Sequence, residues 1–496
     1  MTWGVEAAVR EWPTIVNDAP SPPPIAPGVP ALDARELAAA VGGTLLRSSA
    51  RPIRGAAVDS RRVSPGNVFF ALPGERTDGH RFLAQAAAAG AAALVVSEPL
   101  DTAGLDALGD VTVVQVAAGL TALHALAAAW RARFSPLVVG ITGSYAKTST
   151  KEAVAVVLAA DRPTLKSEGN ENNEIGLPLT LLRLGPEHQA VVLEMGMYIE
   201  GDIATLAALA RPRIGVVTAV SGIHLERAGS LATIEFEKGR LVEVLPRDGA
   251  AILNADDPAV RRMAARTSAA VTTYGFAEDA DVAAEAVESL GGEGMRFVLR
   301  TRGRRTPVRT PALGRLAVHN ALAAAAVGLA VGMTPKAIAA ALGRGFSSPH
   351  RTTLLDAGPW RVLDDSYNAG PETMAAALDL LATLPGRRVA VLGEMLELGQ
   401  ASKAAHRAVG ARAAGVATLL VAVGRGGRGI AAGARAAGLA PAAAFETADA
   451  DAALGTLLPL LAAGDVVLVK GSRGVALDRL VDRLVAIGRS GHGARA

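Results

Sequence analysis

Residues 137–151 read LVVGITGSYAKTSTK, and they constrain the fold more than any other stretch of the chain. The aliphatic run 137–141 has the length and β-branched content of a buried parallel strand. It breaks at Thr142-Gly143-Ser144, and Lys147-Thr148 opens a helix whose apolar positions continue through Val154, Val157 and Leu158. A strand, a tight turn and a helix N-terminus in that order make an anion site. Free backbone N–H groups and the positive end of the helix dipole converge there. Lys147 can add a charge beside phosphates, and the Thr148 hydroxyl can ligate Mg²⁺. The spacing departs from Gly-x4-Gly-Lys-Ser/Thr, because Ala146 stands before Lys147. On these residues alone, an ordinary strand–helix turn that contains Lys-Thr stays open beside a nucleotide loop.

A chain of 496 residues is too long for one core and is expected to form about three domains at ~150 residues each. Residues 1–30 hold Pro20, Pro22, Pro23, Pro24, Pro27 and Pro30 and read as an extension with no core of its own. Residues 31–115 read as a small α/β domain, with helices over 32–41 and 81–89 and strands over 68–72 and 92–96. Asp59-Ser60-Arg61 falls in a turn and Asp78-Gly79-His80 just before a helix, where turn and cap chemistry alone would explain them. Residues 116–343 alternate strand with helix, which implies a mostly parallel sheet. That domain closes with short alternating runs over 281–310, an antiparallel extension, and helices over 320–331 and 335–342. Residues 344–496 read as a Rossmann-like α/β unit with strands over 361–363, 388–392, 418–423 and 466–469. Its Gly424-Arg425-Gly426-Gly427 is only a near-miss to a dinucleotide fingerprint.

Ligands of open parallel sheets collect at the carboxyl ends of the strands. The strand over 190–193 ends at Glu194, that over 214–219 near His224, and that over 250–253 at Asn254-Ala255-Asp256-Asp257. These groups converge on the same edge as Thr148. Carboxylate, imidazole and hydroxyl around phosphates suit Mg²⁺. In the third unit Asp364-Asp365-Ser366-Tyr367-Asn368 and Lys470-Gly471-Ser472-Arg473-Gly474 hold the equivalent positions.

Composition narrows the remaining classes. Half the residues are hydrophobic and 3% aromatic, so the cores must be built from Ala, Val and Leu. The net charge is +3 with both signs mixed along the chain, which argues against a nucleic-acid footprint. No cysteine is present, so disulfides and thiolate metal sites are excluded. The N-terminus lacks a basic-then-apolar signal pattern, and the Ala-rich run 321–333 is too short to span a bilayer. A soluble cytoplasmic protein is expected, with no membrane partner. Basic charge is almost all arginine. Lysine occurs only at 147, 151, 166, 238, 336, 403 and 470, so a lysine in a suggestive place is a candidate for amine chemistry. Lys238, in Glu237-Lys238-Gly239-Arg240 of a helical stretch, reads either as such a group or as a surface lysine beside a glutamate.

From residue 31 onward the chain resembles the Mur ligases. The resemblance rests on ITGSYAKTSTKE, SEGNENNEIGLPLTLLRL, VLEMGM, HLERAGS, EKGR, LNADD, DDSYNAGP, LGEMLELG and VKGSRG, in that order. The family loop is a shorter Gly-x-x-Gly-Lys-Thr, so only the methyl group of Ala146 remains unusual. The resemblance implies three α/β domains: an N-terminal one for a UDP-substrate, a central P-loop-type ATPase and a C-terminal Rossmann-like one. It implies a monomer that binds ATP and two Mg²⁺ and carries a CO₂-derived carbamate on Lys238. Gly143, Ser144, Tyr145, Ala146, Lys147, Thr148 and Ser149 would cradle the ATP phosphates. Asn320 and Arg351 would contact the nucleotide, with Asp365 near its ribose. Thr148, Glu194, His224 and carbamylated Lys238 would hold metal. Ser60, Arg61, Asp78 and His80 would hold the UDP-sugar end. Asn170, Asn172 and Asn173 would face the muramoyl peptide, and Tyr367 and Asn368 would line the cleft. The implied reaction joins D-alanyl-D-alanine to UDP-N-acetylmuramoyl-tripeptide through an acyl phosphate. The Asp-Asn-Pro-Arg run of the sibling that adds diaminopimelate is absent. A non-catalytic homologue would have its support in Ala146 alone. Tyr198, Gly370 and Leu316 also depart from the family, which has Asn, Asn and His there.

Overall fold

The computed structural model describes residues 30–74, 77–222 and 225–493. The Pro-rich extension, apart from Pro30, and His224 lie outside them. The described residues divide into two compact units. One takes the chain up to Pro136 with Ser167–Gln189 and Ala208–Ala210, and the other takes the rest.

The first unit holds a five-stranded sheet: β1 (Thr44–Arg47), β2 (Ala56–Ala57), β3 (Val68–Phe70), β4 (Ala93–Val96) and β5 (Thr112–Gln115), in the order β1-β5-β4-β3-β2. Only β1 runs antiparallel to its neighbour. The Ala34–Val41 helix shows how locally the sequence sets these elements. The Asp33 carboxylate accepts from the amides of Arg35 and Glu36, and Glu36 returns a bond to the Asp33 amide. This is a complete capping box, and Gly42 closes the helix at φ 65°. The Gly119–Arg131 helix packs on it.

The second unit carries two sheets. The larger has nine strands: β6 (Leu137–Thr142), β7 (Thr164–Lys166), β8 (Ala190–Glu194), β9 (Ile214–Val217), β10 (Ala250–Asn254), β11 (Ala270–Gly275), β12 (Val282–Ser289), β13 (Met295–Thr301) and β14 (Arg304–Thr310). Their order is β14-β13-β12-β11-β10-β9-β6-β8-β7. Strands β6 to β12 pair in parallel, and β12 to β14 form the antiparallel extension expected at 281–310. The central strands are apolar up to their carboxyl-terminal residues because both faces are covered. From β6 the chain runs to β7 and back to β8 on one side, then crosses to β9 on the other. That reversal of order opens a crevice at the strands' carboxyl ends, where the 143–146 turn lies. Gly140 and Gly215 sit side by side on β6 and β9. A Cβ on either would come within 3.0 or 3.2 Å of the Leu241 side chain. The two glycines therefore let the Leu231–Glu243 helix, which carries Lys238, settle close on the sheet.

The smaller sheet comprises β15 (Thr353–Ala357), β16 (Trp360–Asp364), β17 (Arg388–Gly393), β18 (Leu419–Val423), β19 (Ala444–Thr447) and β20 (Val466–Lys470), ordered β15-β16-β20-β17-β18-β19. All pairs are parallel except the β15–β16 hairpin. Separate apolar cores lie on its two faces, as in a doubly wound sheet. The three-domain α/β architecture expected from the sequence is present.

Candidate active site

The turn after β6 is fixed from several directions. Thr142 Oγ1 donates to the Met195 carbonyl at 2.9 Å, and the Ser144 amide to the Ala219 carbonyl at 2.8 Å. Ser144 Oγ donates to the Ser221 carbonyl at 3.3 Å and accepts from the Ser221 amide at 2.9 Å. Gly143 has φ 151°, and a Cβ there would stand 1.9 Å from Thr218 Oγ1. Ala146 is the N-cap of the Lys147–Ala159 helix and is left-handed at φ 64°, ψ −2°, with no side-chain cap. A left-handed alanine costs roughly 1–2 kcal/mol, so its surroundings hold it there. The first-turn amides of Lys147, Thr148 and Ser149 have no intrahelical acceptor and point at the turn, the arrangement that binds phosphate. Lys147 Nζ donates to the Gly143 carbonyl at 2.7 Å, folded over the loop it would serve.

Around the loop the structure gathers Thr148, Glu194, Lys238, Arg351 and Tyr367. Glu194 ends β8 at 2% exposure. Burial lowers the pKa of Lys147, with Glu194 opposing and Arg351 reinforcing the shift. Lys238 is no surface residue. It is 2% exposed, its Nζ makes no hydrogen bond or ion pair among the described residues, and its pKa lies well below the usual lysine range. Burial is the main cause, the Lys147 ammonium adds to it, and Glu237 opposes it. The neighbouring Glu237 turns elsewhere: its Oε1 accepts from the amides of Gly201 and Ile203 at 3.0 and 3.1 Å, at the start of the Asp202–Ala210 helix.

From the smaller sheet, the Arg351 guanidinium stacks 4.1 Å from the centre of the Tyr367 ring, and Arg473 lies at 5.3 Å. Asp365 Oδ1 accepts from the Thr352 amide at 3.0 Å, and its Oδ2 pairs with Lys470 Nζ at 2.5 Å. Both carboxylate oxygens are thus engaged within the chain. Asn368 is exposed, and its carbonyl accepts from Lys470 at 2.9 Å. Asn320 is buried, with Oδ1 accepting from Thr150 Oγ1 at 3.0 Å, against the flank of the Lys147–Ala159 helix.

The expected UDP-substrate residues all fall in the first unit. Ser60 is buried and donates to Gln85 Oε1 at 3.0 Å, while exposed Arg61 pairs with Asp59 at 2.6 Å. His80 holds Asp78 through Nδ1 at 2.6 Å, and its Nε2 accepts from the amides of Ser97 and Glu98 at 2.9 and 3.2 Å. With both nitrogens spent, His80 anchors the 97–98 turn. Its proximity to Asp78 and Glu98 does not make a metal site. Asn173 Oδ1 accepts from the Gly176 amide at 2.8 Å, and the Asn172 amide donates to the Asn170 carbonyl at 2.7 Å.

Sequence comparison decides the family. The Mur ligase middle domain matches residues 141–328, the Mur ligase, glutamate ligase domain matches 350–473, and the domain described as Mur ligase family, catalytic domain matches 52–131. The UDP-N-acetylmuramoyl-tripeptide--D-alanyl-D-alanine ligase of Escherichia coli (strain K12) is 40% identical over 434 residues, covering 86% of this chain and 92% of its own. The chain belongs to the Mur ligase family. The enzyme of the same name from Mycobacterium tuberculosis (strain H37Rv) is 39% identical over 467 residues, covering 86% and 91%. Among solved structures, MurF from Acinetobacter baumannii matches with a TM-score of 0.83 at 29% identity, covering 92% of this chain and 100% of its own. MurF from Thermotoga maritima in complex with ADP matches with a TM-score of 0.76 at 27% identity, covering 88% and 98%.

Sequence reading of this Mur ligase missed a cavity of about 650 Å³ bounded by Tyr145, Asn254, Phe276, Arg315, His319 and Glu372. His319 Nε2 lies 3.1 Å from Asn254 Oδ1 and 3.3 Å from Asp256 Oδ2, and Arg315 stacks 3.6 Å from the centre of the Phe276 ring. The available signal was the position of His319 one helical turn past Arg315 and Leu316. Burial pushes the Tyr145 hydroxyl up to about 12, with Glu372, Asp257 and Asp256 adding to the shift, so it stays a proton donor. Tyr198, one of the departures from the Mur ligase pattern, gives Arg227 a ring to stack on at 3.7 Å.

Proposed function

We propose that this Mur ligase joins UDP-N-acetylmuramoyl-tripeptide to D-alanyl-D-alanine with cleavage of ATP, as MurF enzymes do, in cytoplasmic synthesis of the peptidoglycan precursor. What carries the reading is a phosphate loop whose Lys147 faces Glu194, Lys238 and Arg351, in a chain 40% identical to a ligase of that name. Residues 116–343 would hold ATP, 31–115 the UDP end of the substrate, and 344–496 would complete the cleft.

Residues Gly143 to Ser149 would cradle the phosphates, Lys147 leaving its carbonyl partners for them. Arg351 would add a second cation, with Asn320 and Asp365 on the nucleoside side. Thr148, Glu194 and His224 would hold Mg²⁺, which supplies charge neutralisation at the phosphates. A buried amine that has no hydrogen bond among the described residues, and whose pKa burial pushes down, is suited to take up CO₂. The carbamate so formed on Lys238 would make an anion able to hold a second Mg²⁺. The tripeptide carboxylate attacks the γ-phosphorus and ADP leaves. The dipeptide amine then attacks the acyl carbon, loses its proton, and phosphate departs with the C–O electron pair. Ser60, Arg61, Asp78, His80, Asn170, Asn172 and Asn173 would orient the UDP-tripeptide, His80 through the turn it anchors. Tyr367 and Asn368 would line the acceptor side and keep water from the acyl phosphate. No helix among the described residues is long and apolar enough to cross a membrane, and the protein would act as a monomer on soluble substrates.

The test is phosphate release by purified protein. It should require ATP, Mg²⁺, UDP-tripeptide and D-alanyl-D-alanine together. Release with free amino acids but not with the dipeptide would move the reading to a sibling ligase, and no release with any acceptor would overturn it.

A further inference from the structure

We propose that His350 and Thr352 are positioning residues, which clamp the backbone on either side of Arg351 so that its guanidinium is presented to the nucleotide phosphates. The proposal rests on the nucleotide reading of the loop given above.

Arg351 lies in the segment that leads from the Pro335–Leu342 helix into β15. Its two neighbours are both left-handed, His350 at φ 59° and Thr352 at φ 47°. Neither is glycine, and a β-branched residue there is a marked outlier. Such a backbone persists only where its surroundings hold it, and the contacts that hold it are specific. His350 Nδ1 pairs with Asp364 Oδ2 at 2.9 Å. The His350 carbonyl accepts from the Tyr367 amide at 3.1 Å. On the other side, the Thr352 amide and hydroxyl both donate to Asp365 Oδ1, at 3.0 and 3.2 Å.

Asp364 is the last residue of β16 and Asp365 follows it, so that their side chains leave the extended backbone in opposite directions. They grip the turn from both sides. Each carboxylate has further partners that hold it in place. Asp364 Oδ1 accepts from the Ser366 amide and hydroxyl at 3.1 and 2.6 Å. Asp365 Oδ2 takes Lys470, 2% exposed at the end of β20. The guanidinium between the clamped residues rests on Tyr367, the same residue whose amide holds His350. Arg351 and Glu194 both act on the charge of Lys147, and both act on the Tyr367 hydroxyl. The arrangement passes the rigidity of the smaller sheet to one side chain at the phosphate loop.

The experiment is calorimetric titration of the full-length protein with a non-hydrolysable ATP analogue and Mg²⁺, in a double-mutant cycle. His350→Gly keeps the left-handed backbone accessible and removes the ring. It should weaken analogue binding about tenfold, a typical coupling between contacting residues. His350→Asn, which tolerates the conformation and can still donate to Asp364, should stay within about threefold of native. Once Arg351 is removed in Arg351→Ala, adding His350→Gly should change nothing further. Thr352→Gly, run through the same cycle, gives the independent arm should His350→Gly fail to fold. The KM for ATP should rise in both glycine variants while that for D-alanyl-D-alanine holds. Native-like affinity in both glycine variants, or a full tenfold loss added on top of Arg351→Ala, would overturn the clamp. Affinity is read without turnover, so a cycle that closes in a protein lacking dipeptide-dependent phosphate release would retain the clamp and discard the ligase reading.

Discussion

Thr218 Oγ1 donates to the Tyr145 carbonyl at 2.6 Å and fills the space a β-carbon on Gly143 would need, 1.9 Å away. One hydroxyl therefore both braces the far side of the loop and forbids a side chain at its start. Gly143→Ala should destabilise the protein by about 1–3 kcal/mol, the usual range for overpacking, and weaken nucleotide binding. Removing the hydroxyl as well, in Gly143→Ala/Thr218→Ala, should recover part of the stability. Thermal melting and nucleotide calorimetry read both effects. Equal losses in the single and double variants would mean that the clash is not the cause.

Ala146 already occupies the left-handed geometry that glycine adopts freely. Ala146→Gly relieves roughly 1–2 kcal/mol of native strain but returns about 0.5–1 kcal/mol of backbone freedom to the unfolded chain. The net gain is about 0.5–1 kcal/mol, so the melting temperature should rise only slightly and nucleotide affinity should change less than about threefold. A large gain in affinity would show that the methyl group distorts the loop.

Lys238→Ala should lower phosphate release by about 10²–10³, as removal of one group from an electrostatic cluster does. Added acetate or formate should restore part of it by supplying a carboxylate to the vacated space. Chelation of Mg²⁺ should abolish release in native protein and in the rescued variant alike. Full activity in Lys238→Ala without added carboxylate would refute the carbamate.

The His350–Asp364 pair gives a pH signature. The imidazole pKa is raised, first by the hydrogen bond to Asp364, against burial, with the charges of Asp364, Asp478 and Asp482 adding to it. A histidine pKa raised above its unfolded value of about 6.5 means the pair's contribution is fully present below that pH. It is lost as pH rises through the folded pKa. His350→Asn should therefore melt below native protein at pH 6, by about 1 kcal/mol or less, because the imidazole is partly exposed although Asp364 is buried. The gap should close toward pH 9. A gap that widens with pH would contradict the assignment.

Much of the middle domain was legible because its signals are local. The 137–151 stretch carries its own strand, turn and helix start, and Glu194 follows from the rule that ligands gather at strand carboxyl ends. Elements without a boundary signal were misread. The helix expected from residue 320 begins at Gly314, since Leu313 at its N-cap offers no capping side chain. The short edge strands β15 and β19 are too brief and too partly exposed for a period to show. The residues around Lys238 left a surface lysine and a group for amine chemistry both open, because Glu-Lys-Gly-Arg is a polar run. The burial of Lys238 comes from paired glycines on two distant strands, which no local pattern reports. The left-handed backbone at His350 and Thr352 has no sequence signature, because the cause lies in Asp364 and Asp365 on another element.

The Gly314–Ala330 helix, buried on nearly every side through Ala321, Ala323, Ala324, Ala325 and Ala326, lies against the Lys147–Ala159 helix. Side chains this small bring helix axes toward the short end of the roughly 8–10 Å range. The alanine helix thus works as a shim, and its gauge fixes how deep the neighbouring helix seats. Thickening it by one leucine would lift the phosphate loop without touching a residue that meets ligand. Drift in nucleotide affinity during the divergence of this enzyme can therefore be sought in that helix as well as in the loop.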